Sequence, residues 1–299
     1  MHFIETQLKP QSVDKSKPNE TMSQIPILII NLKRRTDRLA KITEQLDRLS
    51  LSFERVPATD GMLMTEAEKA ALCPNRYWFG HRYLADSQLG VYNSNLTCLR
   101  LGLERGWKRW CILEDDLELS RQFKECVDPD FALPNSVDLL KLEALARKGD
   151  RGWAIPIDRV GELSIVLSAF PRAGRGAYLV TERGAEKLLQ TTSVMSAPND
   201  ETMRHFARTG VLTFELCPSV AWQYREASDI ATGRAHARKS LSRQTLSARL
   251  RWKFGRWWTK ASNQIVLLYR YGVRVLNMRS HDFAKLEHLA EKKSSEIPP

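Results

Sequence analysis

The chain has 299 residues, is 42% hydrophobic and 27% charged, and carries a formal charge of +11. That length and apolar content support the core of one large domain or two modest ones, which excludes a wholly disordered chain. No apolar run approaches the roughly 20 residues a bilayer-spanning helix needs, which excludes a transmembrane anchor.

The charge is unevenly spread. Between Ile230 and His281 there are twelve Lys or Arg and no Asp or Glu, so the remainder stands at −1, that is 11 − 12. The pattern reads as a near-neutral domain carrying a basic extension. The five cysteines (Cys73, Cys98, Cys111, Cys126, Cys217) are odd in number and lack C-x-x-C spacing. They predict free thiols in a reducing compartment rather than a disulfide framework or zinc site.

In chain order, residues 1–24 are polar, lack the apolar core of a secretory signal, and read as a flexible leader. Ile25–Ile30 is a continuous apolar, β-branched run, as in a buried parallel strand. A basic turn, Asn31 to Arg35, precedes a helix with Thr36 or Asp37 as its cap and Leu39, Ile42, Leu46 and Leu49 at helical spacing. Phe53–Val56 is a second strand, which completes a βαβ unit. Leu96–Arg105 predicts a helix stopped by Gly106. Trp110–Leu113 is a buried strand that delivers Glu114-Asp115-Asp116. Later strands are predicted at Val137–Leu142, Leu163–Leu167 and Ala177–Val180. Helices are predicted at Glu182–Leu189 and Asp200–Arg208. The interleaving gives an α/β fold.

Three carboxylates directly after an apolar strand are costly to cluster unless a cation holds them. In an extended backbone Glu114 and Asp116 point to one side and Asp115 to the other. Two hard oxygen ligands suit Mg²⁺ or Mn²⁺, and the carboxyl end of a parallel strand is where α/β folds bind ligands. From the triplet alone, a metal site and a solvated acidic turn weigh equally.

Four ordered segments change that balance: Ile30-Asn-Leu-Lys-Arg-Arg-Thr-Asp-Arg38, Phe53-Glu-Arg-Val-Pro-Ala-Thr-Asp-Gly61, Cys111-Ile-Leu-Glu-Asp-Asp-Leu117 and Gly176-Ala-Tyr-Leu-Val-Thr-Glu-Arg-Gly-Ala-Glu-Lys-Leu-Leu189. Together with a weaker block from Cys217 to Ile230, the set resembles glycosyltransferase family 25, the lipooligosaccharide and collagen galactosyltransferase group. The resemblance implies a GT-A-like, Rossmann-type, mostly parallel sheet flanked by helices. It also implies a UDP-sugar donor, a divalent cation and inversion at the anomeric carbon. The acceptor it implies is a saccharide or glycolipid such as lipopolysaccharide, built at the cytoplasmic face of the bacterial inner membrane. One stretch departs from the pattern: where the family shows Glu-Leu-Gly-Cys followed by Ser-His, this chain reads Gln88-Leu-Gly-Val-Tyr-Asn-Ser-Asn95.

On that resemblance Glu114 and Asp116 are the metal ligands, and Asp115 holds the ribose or supports the ligands. Asn31, Arg34 and Arg38 face the diphosphate, and Asp60 accepts from base or ribose. Asp200 is the base for the acceptor hydroxyl, with Glu201 and Glu143 behind it. Arg172 and Arg175 are loop residues that could reach a phosphate. The division is a leader (1–24), a catalytic domain (25–230) and a helical basic extension (231–299). In the extension, residues 249–276 interleave cations with Trp and Tyr, which fits an anionic membrane surface. No nucleic acid is expected as a partner. A non-catalytic nucleotide-sugar-binding relative and a basic nucleic-acid-binding protein are the competing readings.

Overall fold

The computed structural model describes residues 23–78, 82–143, 151–223 and 246–282. Most of the leader, the block at Ser228–Ile230 and the first part of the basic extension lie outside the described residues.

The apolar run at the start becomes β1 (Ile27–Asn31), buried along its whole length, and α1 follows over Thr36–Arg48. Arg35 stands at the helix cap and its side chain pairs with Asp37 rather than capping the helix N–H groups, so Thr36 and Asp37 lie inside the first turn. α1 turns Ile42, Gln45 and Leu46 inward. β2 (Glu54–Pro57) and α2 (Glu66–Leu72) come next, then the short β3 (Tyr77–Trp78) and β4 (Arg82–Tyr83). α3 spans Asp86–Glu104, β5 Arg109–Glu114, β6 Leu117–Leu119 and α4 Phe123–Cys126. After them stand β7 (Leu139–Lys141), β8 (Arg151–Val160), β9 (Leu163–Ser168) and β10 (Ala177–Thr181). The rest are α5 (Glu182–Thr192), α6 (Asn199–Met203), α7 (Phe206–Thr209), β11 (Thr213–Cys217), β12 (Ala221–Gln223), α8 (Leu246–Tyr271), a 3₁₀ turn (Gly272–Asn277) and β13 (Arg279–Asp282).

Nine strands form one sheet in the order β13-β8-β9-β11-β7-β10-β5-β1-β2. The α/β class with flanking helices holds. The sheet itself is mixed: among the described residues three neighbouring pairs are parallel and five antiparallel. Two of the parallel pairs make the β2-β1-β5 group at one end and the third is β11 with β7, while β10 runs against both β5 and β7. An apolar run reports burial on both faces but not direction, so the reversal at β10 leaves no trace in its composition. Two apolar clusters cover the two faces of the sheet: one holds Ile27, Ile29, Ile42, Leu46 and Leu113, the other Leu28, Ile30, Tyr92, Leu99 and Ile112.

Two helix boundaries move. α3 begins ten residues before the predicted start at Leu96, and polar side chains bond back along the helix in that stretch. Ser94, Asn95 and Thr97 each donate to the carbonyl four residues back, at 2.8, 2.9 and 3.1 Å. The single helix predicted for Asp200–Arg208 is two short ones, broken at Arg204–His205, with Gly210 left-handed at the end (φ 68°).

Candidate active site

The carboxyl ends of β1, β2 and β5 open into one cleft of about 520 Å³. Its walls are Arg34, Arg35 and Arg38 after β1, the Ala58–Met62 turn after β2, the start of α3, and Glu114, Asp115 and Asp116 after β5. Ligand clefts belong at this end of parallel strands.

β5 stops at Glu114, and Asp115 and Asp116 occupy a bend before β6. The strict in-and-out alternation expected of the triplet therefore does not apply, and all three carboxylates reach the cleft wall. Gln45 of α1 fixes the chain beyond the bend: it donates to the Leu117 carbonyl at 2.9 Å and accepts from the Leu119 N–H at 2.8 Å. Glu114 is held from the other side, its N–H bonded to the Gly176 carbonyl at 2.7 Å.

Burial raises the Glu114 carboxyl above the usual carboxylate range, and the Asp116, Glu143 and Asp115 charges raise it further. Burial also raises Asp116, against the pull of Arg38. The Arg38 guanidinium stands 3.4 Å from both Asp115 Oδ1 and Asp116 Oδ2. The second Asp116 oxygen, Oδ1, is buried without a partner among the described residues.

Of the residues read from the sequence, Arg34, Arg38, Asp60, Glu114, Asp115 and Asp116 line this cleft together. Arg34 pairs with Asp60 across the two turns. Asn31 is buried behind them rather than in the wall. Its amide donates to Asp115 Oδ2 at 2.7 Å and to the Arg35 carbonyl at 2.9 Å, and its oxygen accepts from Arg55 at 2.9 Å. Asn31 thus orients Asp115. Asp200 lies in the first turn of α6, favourably placed for the helix dipole, and is not among the residues lining the cleft. Arg172 and Arg175 are both buried. Arg172 bonds Glu215 at 3.0 Å, and Arg175 lies over the Tyr178 ring at 5.0 Å.

The departing segment is part of the framework. Gln88 accepts from the Ala85 N–H at 3.1 Å, closing the start of α3. Asn95 accepts the Tyr178 hydroxyl at 2.8 Å, and that oxygen takes a bond from Arg175 at 3.1 Å. Val91 is a cleft-wall residue.

Two features escaped the sequence reading, as did the burial of a third residue. Ser94 Oγ takes the Thr59 N–H at 2.8 Å and fastens the turn after β2 to α3. Ser87 lines the cleft with a hydroxyl that has no partner among the described residues. Glu143, read only as a fallback base, is fully buried near the triplet and accepts from the Gly176 N–H at 2.9 Å. Serines inside a helix carry no local signal of such contacts.

A family profile described as "Glycosyltransferase family 25 (LPS biosynthesis protein)" matches residues 24–203. A protein of Haemophilus influenzae that bears a glycosyltransferase name is 26% identical over 163 residues, covering 54% of this chain and 56% of its own length. Human procollagen galactosyltransferase 2 is 24% identical over 191 residues, covering 58% of this chain and 30% of its own length. The chain thus spans about half of the bacterial relative and under a third of the human one. Among solved structures, the chain is similar to a glycosyltransferase involved in the glycosylation of the major capsid of PBCV-1, with a TM-score of 0.42 and 10% identity, over 72% of this chain and 99% of that one.

Proposed function

The chain belongs to glycosyltransferase family 25, and from that premise we propose that it moves a hexose from a UDP-sugar to a cell-surface glycan or glycolipid, with inversion. Galactose is the sugar we assign, since it stands in the name of the human relative. Lipopolysaccharide is the acceptor we assign, since it stands in the family description. An acceptor of that kind puts the protein at the inner face of the bacterial inner membrane, as a peripheral protein. Among the described residues no helix is long and apolar enough to cross a membrane.

The observation that carries this reading is the meeting of Glu114, Asp115 and Asp116 with Arg34 and Arg38 in one cleft at the carboxyl ends of parallel strands. Anionic and cationic walls facing each other suit a nucleoside diphosphate and the cation that accompanies it. The residues present fit Mn²⁺ or Mg²⁺. Asp116 leaves one buried oxygen without a partner, and burial and mutual repulsion raise both Glu114 and Asp116. No group of three or more His, Cys, Asp or Glu is preassembled to hold a metal among the described residues. A cation of this class needs only one or two protein carboxylates beside substrate phosphates. Glu114 and Asp116 would hold it, and it would supply Lewis-acid charge to the leaving diphosphate.

The chain's own residues do the rest. Arg34 and Arg38 bind the diphosphate, and Asp60 and Asp115 accept from the nucleoside. Asp200 stands outside the cleft wall, and it is kept as the base on the family resemblance alone: it takes the acceptor hydroxyl proton as that oxygen bonds the anomeric carbon and the sugar–phosphate bond breaks, releasing UDP. Gln88 and Asn95 make framework bonds, which supports an intact cleft wall at the departing segment; turnover separates the enzyme from a non-catalytic nucleotide-sugar-binding relative.

A panel of nucleotide sugars, screened by thermal shift with and without Mn²⁺ and then by UDP release, tests the reading. Glu114→Ala and Asp116→Ala should each lower UDP release by about 10²-fold or more while leaving the fold intact. Unchanged release in both variants removes the metal role. Unchanged release in Asp200→Asn removes the base.

A further inference from the structure

α8 has two opposed faces. One packs on the domain through Gly255, Thr259, Asn263 and Leu267. Asn263 is wholly buried there, donating to the Ala169 and Arg204 carbonyls at 2.9 and 2.6 Å and accepting from the Ala207 N–H at 3.2 Å. At about 100° per residue, the opposite face gathers Leu250, Phe254, Trp257, Trp258, Ile265, Leu268 and Tyr269. All of these are at least half exposed, and Tyr269 is 91% exposed. Phe254, Trp257 and Trp258 form one aromatic patch, with ring centroids 5.8 to 6.4 Å apart. The exposed cations Arg251, Lys253 and Lys260 flank this stripe. No Asp or Glu occurs from Leu246 to His281.

We propose that α8 is a docking helix for an anionic lipid bilayer. It lies in the plane of the interface with Phe254, Trp257 and Trp258 sunk at the headgroup–acyl boundary. Aromatic rings favour that depth, and the flanking cations meet anionic headgroups. Apolar side chains this exposed and this contiguous mark an interaction surface. A second copy of the chain fits poorly, because a two-fold pairing of the stripe would bring like charges together. A nucleic acid could stack on the aromatic rings but would leave Leu250, Ile265 and Leu268 in water. The helix is already held by its inner face, so docking requires no folding step. This inference deepens the peripheral location proposed above and rests on that reading for its membrane. Its readout is lipid binding, so it stands or falls apart from the transfer reaction.

The test must spare the inner face. Arg256 and Lys260 lie over the Phe170 ring at 5.0 and 4.9 Å, and Asn263 holds Ala169. The same loop runs on to Gly174 against Glu143 and to Gly176 on Glu114. Deleting α8 would therefore disturb the cleft. The full chain should sediment with phosphatidylglycerol-rich vesicles and not with pure phosphatidylcholine vesicles, less so as salt rises. The double variant Trp257→Glu, Trp258→Glu should lose binding by about tenfold or more, with unchanged circular dichroism. Arg251→Gln with Lys253→Gln should weaken the preference for the anionic lipid. The proposal is overturned by absent vesicle binding, by binding that survives the double variant, or by a dimer in sedimentation equilibrium that the double variant dissolves. It is equally overturned if a single-stranded oligonucleotide displaces the vesicles from the stripe.

Discussion

Glu143 is wholly buried, with Oε2 on the Gly176 N–H and Oε1 without a partner among the described residues. Gly174 closes over it in a left-handed conformation (φ 95°), where a Cβ would stand 2.6 Å from both carboxylate oxygens. Burial pushes the Glu143 carboxyl up to about 7 from 4.5; Lys141 and the Gly176 N–H pull it back, and Asp116 adds to the rise. The folded state then binds more protons than the unfolded chain between those two values. Stability must fall as pH rises through that window, and the full penalty stands above about pH 7. Glu143→Gln removes this titration while keeping an acceptor for Gly176. Calorimetry without divalent ions should show a higher midpoint for the variant than for wild type at pH 8, and a flatter slope from pH 5 to 7, by about 2–4 °C per kcal/mol relieved. Identical slopes for the two proteins would mean that Glu143 is already ionised in the folded state across the window.

At the scale of elements, the cleft depends on α3 touching the turn after β2 backbone to backbone. A Cβ on Gly90 would meet the Thr59 carbonyl at 2.4 Å and the Gly61 nitrogen at 2.6 Å; one on Gly61 would meet the Asp86 carbonyl at 1.8 Å. Gly90, kept with Leu89 and Ser94 in the partly altered Gln88–Asn95 segment, is there for this approach. Gly90→Ala must push the helix from the turn that carries Thr59 and Asp60, at about 1–3 kcal/mol. The expected result is a lower unfolding midpoint together with weaker nucleotide-sugar affinity by calorimetry; an unchanged affinity would separate the turn from binding. The sequence exposed β1 and β5 because their apolar runs are unbroken, and it exposed the carboxylates and arginines of the cleft because they sit where those runs end. It hid the early start of α3, since Gly90, Asn93, Ser94 and Asn95 are weak helix formers and the side-chain bonds of Asn93, Ser94 and Asn95 become visible only in the folded chain. It hid Asn31's duty for the same reason: a polar residue after a strand reads as ligand-facing until Asp115 and Arg55 are seen on either side of it.

Across the whole molecule, the sheet outruns the family match. The match ends at residue 203, yet β11 lies between β7 and β9, and β13 pairs with β8 at the edge. β11 was not legible because Glu215 interrupts its apolar pattern; that carboxylate is buried only because Arg172 meets it at 3.0 Å, and its partner lies forty-three positions earlier in the chain. The basic extension likewise reads as an appendage by charge, while Asn263 and β13 tie it to the domain. A chain cut after Met203 would leave β7 and β9 without their shared neighbour. It would also remove the Glu215 carboxylate and the Leu216 carbonyl that hold Arg172. Exposed strand edges of that length invite association. The truncated protein should therefore be recovered largely aggregated, without near-ultraviolet circular dichroism and without a cooperative thermal transition. A soluble, monomeric fragment with a cooperative transition would mean that the parallel group β2-β1-β5 with β10 folds without the strands that follow the family match.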